Sequence, residues 1–180
     1  MSPGRILIVD DDPIVRLTLK AQLASAGHEL FFAASGPEAL ACVDEVRPEV
    51  VLLDVMMPGM TGIEACRELK KRTNLGLLPI IMVTALDDKE SIVQALEAGA
   101  DDFVSKPVPG GVLRARVASV LRIRHQYDRL QDMLALRKRL EHALVHDLRG
   151  PLSVVCMMGD ILAMRDDIED LGEEVNALRV

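Results

Sequence analysis

The sequence predicts an α/β protein: a parallel sheet with helices on both faces. Two observations carry this. Strand-like and helix-like patterns alternate five times over the first 110 residues or so. The strands read as nearly unbroken apolar runs, as expected for strands buried on both faces. A third observation points to function. The strands end in polar residues at the edge where such sheets bind ligands.

The elements follow in order. Arg5-Ile6-Leu7-Ile8-Val9 is a short β-branched run, hence a strand. Asp12 and Pro13 suit the N-cap and first turn of a helix. Ile14, Leu17, Leu19, Leu23 and Ala24 are expected to form its apolar face, and Gly27 to close it. Glu29–Ala33 is a weaker strand. Ser35-Gly36-Pro37-Glu38 has capping-box spacing and opens a helix running to about Val46. Val50–Asp54 is the central strand, with a Pro58-Gly59 turn soon after. Thr61-Gly62-Ile63-Glu64 opens a third helix ending near Arg72. Pro79–Val83 is a fourth strand, and Asp87-Asp88-Lys89-Glu90 caps a helix closing at Gly99. Asp101–Ser105 is the fifth strand, before Lys106-Pro107.

From Gly111 no turn signal appears until Gly150-Pro151. Val117, Val120, Ile123, Tyr127, Leu130 and Leu134 recur at alternating spacings of three and four, a heptad seam. The seam loses register at Arg137-Lys138-Arg139 and resumes at Leu140 and Leu144. A helix striped on one side needs a partner, and a second copy is the simplest one.

Bulk composition is compatible with this layout. Aromatic residues make up 2% of the chain, so the core must be built from aliphatic residues and methionine. A net charge of −7 argues against nucleic acid as a partner. Cys42, Cys66 and Cys156 show no CxxC spacing and read as reduced thiols of a cytoplasmic protein. No signal peptide or membrane segment is expected.

The chemistry lies at the strand ends. They supply Asp10 and Asp11, Asp54, Thr84 and Lys106 in turn. Taken singly, Asp10-Asp11-Asp12 is a capping cluster, Thr84 a strand-end residue and Lys106-Pro107 a turn. On consecutive strand ends they form one set. Three close carboxylates repel, and a hard cation such as magnesium relieves the repulsion while keeping positions open for phosphate oxygens. Lys106 offers a point charge, and Thr84 a hydroxyl, to a phosphoryl group. The set suits phosphoryl transfer to Asp54.

These residues, with Ile6-Leu7-Ile8-Val9-Asp10-Asp11-Asp12-Pro13, Leu53-Asp54-Val55-Met56-Met57-Pro58-Gly59-Met60-Thr61-Gly62, Val83-Thr84-Ala85, Gly99-Ala100-Asp101-Asp102-Phe103 and Lys106-Pro107, resemble the receiver domain of two-component response regulators over residues 1–124. The resemblance implies a flavodoxin-like five-stranded parallel sheet of order 2-1-3-4-5. It implies Asp54 as phospho-acceptor and Mg2+ held by Asp10, Asp11, Asp54 and the carbonyl of Met56. Thr84 and Phe103 would form the switch, and the Lys106-Pro107 bond would be cis.

A second stretch is His146-Asp147-Leu148-Arg149-Gly150-Pro151-Leu152. His28, His125 and His142 read as surface or satisfied residues. His146 differs, because Asp147 follows it and can orient the imidazole as a nucleophile. Pro151 is expected to bend the helix. The stretch resembles the H-box of sensor histidine kinases. That implies His146 as phospho-acceptor, Asp147 as its base, and a helical-hairpin domain dimerising as a four-helix bundle. The bend would fall at residues 166–172 and the second helix at residues 173–180. Gly150 departs from the Thr or Asn common there.

The expected layout is a receiver (1–124), a last receiver helix continuing as coiled-coil linker (111–145) and part of a dimerisation and phosphotransfer domain (140–180). The expected function is two-component signalling in which Asp54 regulates, through the linker, a dimeric histidine-kinase module. Alternatives are a phosphorelay between His146 and a receiver aspartate, or a non-enzymatic response regulator whose helical tail dimerises or docks a partner. Expected partners are a second copy, an upstream histidine kinase or phosphotransfer protein, and a downstream receiver. ATP would enter only with a catalytic domain beyond residue 180, since no ATP-binding stretch occurs in the chain.

Overall fold

A computed structural model describes residues 4–72, 76–85 and 89–177. Five strands, β1 (Arg5–Val9), β2 (Glu29–Ala33), β3 (Val50–Asp54), β4 (Ile80–Thr84) and β5 (Asp102–Ser105), form one parallel sheet of order β2-β1-β3-β4-β5. Between them run α1 (Pro13–Leu23), α2 (Gly36–Val46), α3 (Gly62–Lys70) and α4 (Lys89–Glu97), and α5 (Gly110–Ala177) follows. The expected strands are all present, with bounds shifted by a residue at most. The proposed cap of α4 at residues 87 and 88 lies outside the described residues.

Side chains alternate between the two faces of each strand, so a buried sheet needs two cores. Leu7, Val9, Val51, Leu53, Ile80 and Met82 point to one face and meet Val43, Ala65, Leu69 and Ala95 of α2, α3 and α4. Ile6, Ile8, Val50, Leu52, Ile81 and Val83 point to the other and meet Leu19, Leu23, Leu113, Val117 and Leu121 of α1 and α5.

Local signals explain the helix starts. The Asp12 carboxylate accepts from Ile14 N–H at 2.8 Å. Thr61 and Glu64 form a reciprocal capping box. At α2 the reciprocity is shifted. Ser35 Oγ accepts from Glu38 N–H at 3.3 Å, but Glu38 accepts from Ala34 N–H.

Three expectations are corrected. Ile14 and Leu17 do not face the core; they are 72% and 66% exposed, whereas Leu19 and Leu23 are buried. At 100° per residue, Leu19 and Leu23 share one stripe and Ile14 and Leu17 fall on another. Second, Val117 and Val120 do not belong to a coiled-coil seam. They are buried against the sheet, and the apolar residues of the pattern are exposed only from Ile123 onward. The same stripe that would seat a coiled coil serves first as a helix-to-sheet contact. Third, no bend occurs at residues 166–172: the backbone stays helical from Gly110 to Ala177, through Pro151. A single mid-helix glycine costs only about 1 kcal/mol, too little to force a turn by itself.

The chain divides into two compact units, Met1–Arg129 and Leu130–Val180. The first holds the sheet. The second is helical through Ala177, and its large apolar side chains at Leu130, Leu134, Leu140, Leu144, Leu148 and Leu152 are exposed. No helix among the described residues is long and apolar enough to cross a membrane.

Candidate functional site

Parallel registration brings the ends of β1, β3, β4 and β5 to one edge: Val9 lies opposite Leu53, Asp54 opposite Val83, and Thr84 opposite Ser105. Asp10 leaves β1 with its N–H bonded to Ala33 O at 3.2 Å. Asp10 and Asp54 are only 1% and 4% exposed, and Thr84 is buried beside them at the end of β4. Two carboxylates at that depth are costly unless paired.

Lys106 pairs both. Its Nζ donates to Asp10 Oδ2 at 2.7 Å and to Asp54 Oδ1 at 2.7 Å. Its own N–H donates to Thr84 O at 2.6 Å, which fixes the residue at the edge of the sheet. The Lys106-Pro107 bond is cis, as expected. The second oxygen of Asp10 accepts from Asp12 N–H at 3.0 Å.

The electrostatics follow from this geometry. Burial raises the Asp54 pKa above the usual carboxylate value; the Lys106 ammonium opposes that, Asp10 reinforces it, and a hydrogen bond from the Met56 backbone lowers it. Burial disfavours the charge on Lys106, but its bonds to Asp10 and Asp54 outweigh this and hold its pKa above the ordinary lysine value. The result is a carboxylate whose charge burial disfavours, held against the Lys106 ammonium.

Of the remaining expected residues, Asp11 lies exposed at the rim and Met56 is exposed on the loop after β3. Phe103 is half-buried on β5 and packs against the α2–α4 core. Among the described residues no three ligating side chains converge into a complete cation cage. Of the expected oxygen donors, the structure brings Asp10 and Asp54 together on Lys106, with Asp11 and the Met56 loop exposed nearby in sequence. An open, oxygen-only set of this kind fits magnesium, which binds through few carboxylates and keeps its waters.

Arg16 was not read from the sequence, and Gly62 only as a motif residue opening α3, with no account of its contact. Arg16 donates to the carbonyls of Asp10 and Asp11 and ties the acidic loop to α1. Gly62 passes so close under the site that a Cβ there would lie 1.8 Å from Asp54 O. Its N–H bonds Val55 O at 2.9 Å. Nothing in the sequence signals the Arg16 contact, which reaches back from the first turn of α1 to the loop before it. The Gly62 contact is visible only once β3 and α3 are packed.

His146 and Asp147 lie in the second unit. His146 Nδ1 is 3.3 Å from Asp147 Oδ1, and both side chains are exposed.

A doubly wound sheet whose carboxyl edge gathers two buried acids, a lysine and a hydroxyl defines a phosphoryl-accepting signalling domain. The chain belongs to the response regulator receiver domain family, which matches residues 6–118. It is 44% identical over 117 residues to the transcriptional regulatory protein AfsQ1 of Streptomyces coelicolor, covering 65% of this chain and 51% of that one. It is 42% identical over 138 residues to the response regulator PleD of Caulobacter vibrioides, covering 76% and 30%. The chain thus spans about half of the first of these relatives and about a third of the second. Among solved structures, the signal receiver domain of a signal transduction histidine kinase from Syntrophus aciditrophicus is 39% identical, with a TM-score of 0.62 over 66% of this chain and 90% of that one.

Proposed function

We propose that Asp54 accepts a phosphoryl group from a phosphohistidine donor, and that the chain acts as a response regulator whose helical tail pairs with a second copy. The observation that carries the first part is the Lys106 bridge between buried Asp10 and Asp54. An Asp54 oxygen attacks phosphorus in line, the P–N bond of the donor breaks, and the imidazole leaves with the electron pair and takes up a proton. Asp10, Asp11, Asp54 and the Met56 carbonyl would hold Mg2+, which neutralises charge on the phosphoryl oxygens. Lys106 leaves one carboxylate to pair with a phosphoryl oxygen. The Thr84 hydroxyl bonds another, and Phe103 turns inward as Thr84 moves. The tail pairing is supported by the row of exposed leucines from Leu130 to Leu152.

The test is phosphorylation of the full chain by a small phosphodonor with Mg2+, followed by phosphate-affinity electrophoresis and sedimentation. Wild type should be labelled, Asp54→Asn should not, and both should sediment as dimers. Labelling of Asp54→Asn to the wild-type level would overturn the site, and a monomer at micromolar concentration would overturn the pairing.

A second reading rests on His146 Nδ1 lying beside Asp147 Oδ1. That pair suits a phospho-accepting histidine whose proton is drawn off by the acid, in a hybrid histidine kinase or a phosphorelay. Acid-labile label on wild type that is absent from His146→Gln would favour it, and equal labelling of the two would exclude it.

A further inference from the structure

Outside the receiver site, one exposed feature places two metal-ligating side chains together. His142 and His146 are four residues apart on α5, hence on one face, with Cβ atoms about 5–6 Å apart. Both are exposed, and they line one open concavity with Lys138, Arg139, Ala143 and Asp147. Asp147 Oδ1 stands 3.3 Å from His146 Nδ1, so Nε2 is the ring nitrogen left for a metal. A carboxylate behind a ligating imidazole fixes the tautomer and raises the basicity of the other nitrogen.

The geometry points to a two-point chelate, His142 and His146, for a transition-metal dication of the zinc or copper(II) kind. Neutral imidazole suits these metals, with metal–nitrogen bonds of about 2.0–2.1 Å for zinc. Magnesium is not a competitor here, because it takes oxygen ligands and belongs at the opposite chemistry of Asp10 and Asp54. Among the described residues no third ligating side chain completes the group, so the chelate is two-point and solvent would supply the remaining ligands. Lys138 and Arg139 repel a dication, Asp147 attracts it, and the affinity is accordingly that of an exchangeable site, not a structural one. Metal on His146 occupies the nitrogen that a phosphoryl group would take. That consequence rests on the reading of His146 as phospho-acceptor; the binding itself does not.

The experiment is calorimetric titration of the full chain with zinc chloride in a Cys156→Ser background, so that the exposed thiol cannot contribute. One zinc should bind per chain. His142→Ala and His146→Ala should each weaken it by about tenfold or more, and Asp147→Asn by about tenfold. His125→Ala should leave zinc binding unchanged, and His142→Ala should leave magnesium binding unchanged. Zinc should also raise the midpoint of helix melting in wild type but not in His142→Ala. No zinc binding by wild type, or binding undiminished in either His142→Ala or His146→Ala, overturns the chelate. Absence of phosphate label on His146 with zinc binding intact overturns the phospho-acceptor reading and leaves the metal site standing.

Discussion

Replacing Lys106 by Met is the sharpest test of how the acidic site is held. The lysine Nζ is 2.7 Å from one oxygen of Asp10 and 2.7 Å from one of Asp54. Those oxygens are therefore at most about 5.4 Å apart, and at an effective dielectric of about 20 two unit charges at that distance repel by about 3 kcal/mol. Lysine cancels this repulsion; methionine of similar length does not. Removing one member of a buried ion-paired set typically costs about 3–5 kcal/mol. In chelator-containing buffer Lys106→Met should therefore lose about 3 kcal/mol of stability, roughly 10 °C in the melting of a domain this size. Asp54→Asn added to Lys106→Met removes the repulsion and should restore most of the loss, a coupling of up to about 3 kcal/mol. Native-state hydrogen exchange at Val51–Leu53 reads the domain directly, without the helical tail. Unchanged exchange in Lys106→Met, or a double variant as unstable as the single one, would refute the argument that this lysine holds the two acids together.

Other outcomes follow from the same structure. Gly62→Ala would drive a Cβ into Asp54 O, so it should destabilise by about 3 kcal/mol or more in urea melts. Gly111→Ala meets open space inside a helix and should be neutral or stabilising by up to about 1 kcal/mol. His28 accepts from Gly4 N–H at 3.1 Å, and burial lowers its pKa below 6.5 despite the nearby Glu49. The unfolded chain then takes up the proton first. This contribution to stability is full above pH 6.5 and is lost as pH falls through 6.5 toward the lower folded value. His28→Asn should flatten the acid side of the stability curve measured by urea titration. Burial pushes the Cys66 thiol up to about 11, whereas Cys156 is exposed. Aromatic disulfide reagents near neutral pH should thus label Cys156 at once and Cys66 only on unfolding.

What could be read in the sequence was what burial on both faces makes redundant. Val50–Leu53 and Ile80–Val83 are apolar at every position, so neither strand register nor helix placement was needed to recognise them. Their polar ends were then legible as a set, because strand order alone decides which edge they share. Side-chain caps were equally local, as at Asp12 and Thr61. The rest depended on contacts distant in sequence. Arg47 ends α2 in the left-handed region at φ 46, where glycine would be expected. It is held there by its N–H on Val43 O and by the Arg5 guanidinium on its carbonyl at 2.7 Å. The seam through Val117 and Val120 misled for a related reason. A period of three and four marks an apolar stripe, but the stripe does not say whether a sheet or a helix covers it.

The charge at the receiver edge also explains why lysine alone cannot complete the chemistry. Before reaction, Asp10 and Asp54 bring two negative charges and Lys106 one positive, leaving one negative charge in a buried space. Phosphorylation of Asp54, as proposed, would replace its single charge by a phosphoryl group carrying about −1.5 to −2. The balance then stands near two negative charges, with the same single lysine. The extra charge arrives where burial already raises the pKa of Asp54, so it must be met by a cation delivered from solvent or by neutral donors. Asp11 is exposed, whereas Asp10 and Asp54 are buried, so on the proposed reading its carboxylate is the one a hydrated dication would meet first. On this argument, phosphate uptake at Asp54 and magnesium affinity are linked. Asp11→Asn should weaken magnesium and slow phosphorylation together, while the Lys106 bridge, and with it the stability of the unphosphorylated domain in chelator, stays as in wild type.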